Sequence, residues 1–210
     1  MFDDGGLHSQ TMEIGLGIAL GIGLSSACGF RVFIPFLVAS TASLLGFLPL
    51  ADGFEWIGTF PALIAFAAAT IFEVLAFYVP WLDNALDAIA TPVAVAGGVI
   101  AAASVITDLP PLLKWVVALI GGGGAAGIVQ GTTAFLRLKS TTLTGGLGNV
   151  LVASGELMGA LTTSILALTV PFACVLALLF LCFIVFRTAG RVLFGWSRPK
   201  QRQGASSSSL

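Results

Sequence analysis

The chain has 210 residues, of which 57% are hydrophobic and 9% charged, with a mean hydropathy of +1.04 and a formal net charge of −1. A soluble domain carries roughly 25% charged residues, so this composition excludes an ordinary water-soluble fold and predicts an all-α, polytopic transmembrane bundle embedded in a lipid bilayer. No nucleic-acid partner is expected of a chain so apolar and so close to neutral.

Residues 1–11 form a polar, acidic tail with no basic region ahead of the first apolar run, which argues against a cleaved signal peptide. The apolar stretch 12–49 follows. As a single helix it would rise about 57 Å, nearly twice the roughly 30 Å hydrocarbon core. One helix, two helices or a re-entrant pair are the alternatives, and the length favours a division at Cys28-Gly29-Phe30-Arg31. Further spans are predicted near 57–80, 88–106, 112–136, 141–159 and 161–186, which makes seven helices, or six if 12–49 counts once. Residues 187–210 read as a basic cytoplasmic tail, too polar and too rich in small residues to pack near its end.

Charge sets the orientation. Arg187, Arg191, Arg198, Lys200 and Arg202 crowd the C-terminal end, and Arg137 and Lys139 sit together between apolar stretches. By the positive-inside rule both places face the cytoplasm, with the N-terminus outside. Lys114 is then the one basic residue of nine on the outer side. Trp56, Trp81, Trp115 and Trp196 fall at predicted helix ends, as an interfacial belt requires.

Sliding the chain by fifty residues sets Pro61–Ser104 over Pro111–Ser154, with "TPVAVAGGVIAAAS" lying on "TTLTGGLGNVLVAS". A weaker match sets "GIGLSSACGFR" over "GIVQGTTAFLR". Together they suggest three helical hairpins, 12–56, 57–110 and 111–160, followed by one more helix. In that register Arg31, Asp87 and Arg137 are equivalent, and with Asp83 they form a candidate charge cluster closing the cytoplasmic side. Ordinary loop charges are the competing explanation.

Glu73 is the sharpest single feature, a carboxylate within "AFAAATIFEVLAFYVP". Ionisable groups inside membrane segments usually face a bundle interior or a water-filled path, so Glu73 suits a proton-coupled step or cation binding, with a structural hydrogen bond to a neighbouring helix as the alternative. The segment 141–156 is the second candidate. Gly145, Gly146 and Gly148 weaken a helix, and Thr141, Thr142, Thr144 and Asn149 could line a path for a polar solute or ion. Glu156 is expected within a turn of the outer interface, where simple solvation accounts for its charge. Close packing through small residues explains the same glycines, as it does Gly17 with Gly21 and Gly123 with Gly127 and Gly131.

Cys28, Cys174 and Cys182 lie in apolar runs without CxxC spacing and read as small buried side chains. His8 belongs to the tail, and Asp83 with Asp87 alone make a weak metal signal. No cofactor or metal is expected, and no nucleophile–base pair marks an enzyme.

The stretches "ACGFRVFIPFLVAS", "EVLAFYVPWLDNALDAIATP" and "TTLTGGLGNVLVASGE" together resemble a bacterial family of multi-pass membrane proteins catalogued as a domain of unknown function, family 4126. The resemblance covers about residues 12–185. It implies an integral protein of the bacterial inner membrane and supplies no substrate or catalytic residue. Val150 departs from the family pattern, which has proline after the GLGN run, and this weakens a helix break there. The leading expectation is a small transporter or channel for a small polar solute or ion, with a homo-oligomer allowed by its glycine faces. The competing class is a membrane scaffold or assembly factor.

Overall fold

The computed structural model describes the backbone of residues 4–76, 80–145 and 148–195, and the side chains of these except 4–9, 80–88 and 189–195. Seven helices account for most of it: α1 Asp4–Cys28, α2 Phe33–Leu44, α3 Phe60–Ala76, α4 Pro80–Val105, α5 Pro111–Thr144, α6 Asn149–Thr169 and α7 Pro171–Gly195. Four contain stretches long and apolar enough to cross a bilayer, Gln10–Cys28, Pro111–Thr144, Asn149–Thr169 and Pro171–Thr188. The chain is a membrane-embedded helical bundle.

The division of the first apolar stretch falls where its length requires it. The last turn of α1 tightens through i→i+3 bonds, Gly29 N–H to Ser26 O at 3.1 Å and Phe30 N–H to Ala27 O at 3.0 Å. Pro35 stands in the first turn of α2, where its missing N–H would have no helical partner anyway. Cys28, Gly29 and Arg31 are all buried, so the break lies inside the protein and not in an exposed loop. Irregular backbone at membrane depth is tolerated in that setting alone.

α1 is the hub, packing on α4, α5, α6, α7 and α2, while α3 packs mainly on α2. Leu24, Cys28, Phe36, Ala39, Ala126 and Ala167 share one core cluster. Where α4 crosses α5, a Cβ at Gly98 would lie 2.8 Å from the Gly122 carbonyl and 2.6 Å from Ala126 Cβ. Such an approach needs glycine on both helices. Ser25 Oγ donates to the Gly98 carbonyl at 2.6 Å and so ties α1 into the same crossing. A π-helical stretch, Ala118–Gly123, lies within α5 beside it. Residues 45–59 cover one end of the bundle, with Ile57 and Leu48 buried and Ala51 N–H bonded to Ser104 O at 2.8 Å.

The last third of the chain corrects the expected register. Arg137 and Lys139 lie within α5, which runs for 34 residues, about 51 Å, and the turn falls instead between Thr144 and Asn149. The spans expected at 141–159 and 161–186 are therefore α6 from Asn149 and α7 from Pro171. The fifty-residue match also fails to align equivalent structure: residues 91–104 lie inside α4, whereas 141–154 include the end of α5, the turn and the start of α6. The proposed repeat boundary at 160 cuts α6.

Candidate functional site

The site is built where α1 stops and α2 starts. A helix start leaves unpaired N–H groups, and Val32, the N-cap residue of α2, supplies no side-chain cap. Glu73 supplies it from α3: Val32 N–H donates to Oε1 at 3.1 Å and Phe33 N–H to Oε2 at 3.4 Å. A carboxylate is also the favourable charge for the positive end of a helix dipole. Of the two readings of Glu73, the hydrogen bond to a neighbouring helix is present, with both carboxylate oxygens committed to a broken helix.

Arg31, in the break itself, is 3% exposed. Its guanidinium donates to the carbonyl oxygens of Glu73 at 3.5 Å and Ala153 at 3.3 Å, and lies 3.7 Å from Glu156 Oε2. Arg137 grips the same carboxylate from α5, donating through Nε to Glu156 Oε1 at 2.8 Å and through Nη2 to Oε2. Two arginines and two glutamates from the break and three helices thereby lie together, Arg31 and Glu156 buried and Glu73 and Arg137 partly so.

The cluster borders a cavity of about 630 Å³. Polar groups come from the break, α3, α5 and α6, including Gln130. Ala68, Ala69, Phe72, Ile89, Ala90 and Val93 of α3 and α4 supply most of the apolar wall. Gln130 escaped the sequence reading, although an amide within the apolar run "GIVQGTT" was the available signal.

Arg31, Glu73, Arg137 and Glu156 are brought together; the rest of the expected pathway is not. Thr141, Gly145, Gly148 and Asn149 lie at the α5–α6 turn, away from the cavity lining. Thr141 Oγ1 and Asn149 bond each other, with Nδ2 donating at 3.0 Å, and Gly148 N–H donates to Thr144 Oγ1 at 2.8 Å. These glycines and threonines close a hairpin rather than line a path. Gly146 lies outside the described residues. Glu156, expected near an interface and solvated, is 4% exposed and ion-paired, because α6 starts eight residues later than predicted. Asp83 and Asp87 stand in the first turns of α4, with side chains outside the described set.

A sequence profile described as "Domain of unknown function (DUF4126)" matches residues 18–191. No curated protein and no solved structure matches the chain.

Proposed function

The chain belongs to the DUF4126 family, and we propose that it is a small transport protein of the bacterial inner membrane whose substrate site is the cavity at the α1–α2 break. The observation that carries this reading is the burial of that break beside a cavity walled by Arg31, Glu73, Arg137 and Glu156. Discontinuous helices whose ends meet inside a bundle are a recurrent way for transporters to present charge and backbone dipoles to a solute. A scaffold that only packs helices has no use for a large void next to four costly charges. Connectivity supports a cytoplasmic position for the α5–α6 turn, since Lys139 and the basic end of α7 lie toward that side. Glu156 is two turns from that turn, and residues 45–59 cover the opposite end, so the cavity is read as accessible from the cytoplasm.

The test is thiol accessibility. After replacement of Cys28, Cys174 and Cys182, single cysteines at Ala69, Ala90 and Gln130 are exposed to a membrane-impermeant reagent from either face of sealed vesicles. Labelling from the cytoplasmic face alone is expected. Protection of all three from both faces would leave a dry core and favour the scaffold.

A further inference from the structure

Resting on that reading of the cavity, we infer that Gln130 reads the substrate, and that the substrate carries a group with both a donor and an acceptor, a hydroxyl or a carboxamide, on an apolar body. Gln130 lies 14 residues before Thr144, the last residue of α5, about 21 Å along the helix and so well inside its span. α5 reaches the break one residue earlier: a Cβ at Gly29 would lie 2.6 Å from Val129 Cβ. Arg137, seven positions on, lines the cavity from the same face of α5.

Hydrogen bonding separates Gln130 from the other polar side chains of the described lining. Glu73 accepts from Val32 and Phe33 N–H. Glu156 is held through both oxygens by Arg137 and approached by Arg31. Arg31 also donates to the Glu73 and Ala153 carbonyls, and both arginines have interactions beyond these. The Gln130 side chain, partly buried, makes no hydrogen bond with any described residue; only its backbone carbonyl accepts one, from Thr133 Oγ1 at 3.0 Å. An amide without partners at that depth is costly, and a ligand that supplies them relieves the cost.

The amide also sets what the ligand must offer. Nε2 donates and Oε1 accepts, so a hydroxyl or a carboxamide satisfies both ends. A carboxylate would leave Oε1 unpaired, and an ammonium would leave Nε2 unpaired. The apolar body is matched by Ala68, Ala69 and Phe72 of α3 and Ile89, Ala90 and Val93 of α4. A volume of about 630 Å³ falls within the roughly 300–1,000 Å³ of small-molecule sites, which combine apolar walls with a few placed polar groups.

The test uses the full chain in phosphatidylcholine nanodiscs with a decanol analogue carrying a diazirine at its third carbon, and crosslinked peptides are mapped by mass spectrometry. Labelling is expected on peptides containing Gln130 or residues 68–72, competed by excess decanol or decanamide and not by decane, decanoate or decylammonium. Gln130→Leu is expected to weaken competition by decanol about tenfold, with Gln130→Asn intermediate. The same leucine variant should keep or raise the denaturation midpoint, because the amide has no partner among the described residues to strand. A lower midpoint would show a structural amide, and unchanged competition would show that Gln130 does not read the ligand; either overturns the proposal. Competition by decane as strong as by decanol would replace it with a purely apolar site, and stronger competition by decanoate or decylammonium with a charged substrate. If the cavity is not labelled while cysteines at Ala69 and Ala90 react from the cytoplasmic face, the hydrogen-bonding substrate falls and the transport reading stands; if those cysteines are also protected from both faces, both fall.

Discussion

Arg137 on α5 and Glu156 on α6 face each other across the hairpin that joins their helices, and Arg31 from the α1–α2 break approaches the same carboxylate at 3.7 Å. One glutamate thus links the broken helix to the α5–α6 hairpin. The charge pattern within each segment marked a cytoplasmic loop; the pairing makes it a neutralised element inside the bundle.

Breaking a buried pair strands its partner, and costs of about 3–5 kcal/mol are usual. Arg137→Gln and Glu156→Gln should each lower the unfolding free energy in detergent by an amount in that range, read from the shift of the denaturation midpoint. The exchange Arg137→Glu with Glu156→Arg should recover only part of the loss, because the new arginine would stand against Arg31. Full recovery would mean that Arg31 does not share the site.

What was legible in the sequence, and what was not, follows from the range of each interaction. The break at Cys28–Arg31 is a matter of length against bilayer thickness, and the odd positions of Arg31 and Glu73 show in their apolar surroundings. The register of α5 and α6 was misread because a cation between apolar runs looks like a loop when its partner is 19 residues away. Once Glu156 neutralises it, Arg137 can sit in a helix, and Gly145 and Gly148 beyond it belong to the turn rather than to a pore lining. The Glu73 cap on α2 depends on packing across 41 residues, which no local pattern encodes.

Gly145 acts as a stop signal. It ends α5 at φ +62° with its N–H bonded to Thr141 O at 3.0 Å, the left-handed C-terminal position that glycine fills without a Cβ penalty. Gly145→Ala should cost about 1 kcal/mol, read as a lower denaturation midpoint with no change in labelling at Gln130. An effect on cavity access instead would return this residue to the pathway.

The glycines of α5 should split into two classes. A Cβ at Gly122 would meet Ala102 Cβ and Gly98 O at 2.7 Å and Ser25 Oγ at 2.9 Å, whereas one at Gly124 or Gly131 would meet nothing within 4 Å among the described residues. Gly122→Ala is therefore expected to destabilise by about 1–3 kcal/mol through overpacking. Gly124→Ala and Gly131→Ala should be neutral or gain up to about 1 kcal/mol from helix propensity. Equal losses at all three would show that Gly131 packs in a tight face, as its four-residue spacing from Gly127 first suggested.

The cap made by Glu73 yields the sharpest separation of charge from hydrogen bonding. Glu73→Gln keeps one acceptor oxygen for the α2 N–H groups and removes the anion facing Arg31. Glu73→Ala removes both acceptors, leaving Val32 and Phe33 N–H to find other partners. Loss of a capping side chain costs about 0.5–2 kcal/mol, so the alanine variant should open the first turn of α2 and raise amide exchange at 32–36, while the glutamine variant raises it less. If the two variants exchange alike, the stabilisation comes from the charge against the helix dipole and Arg31, and the hydrogen bonds are incidental. If glutamine instead behaves as wild type in exchange but alters solute-dependent labelling of the cavity, the carboxylate is a working group of the site and its cap is only how it is held.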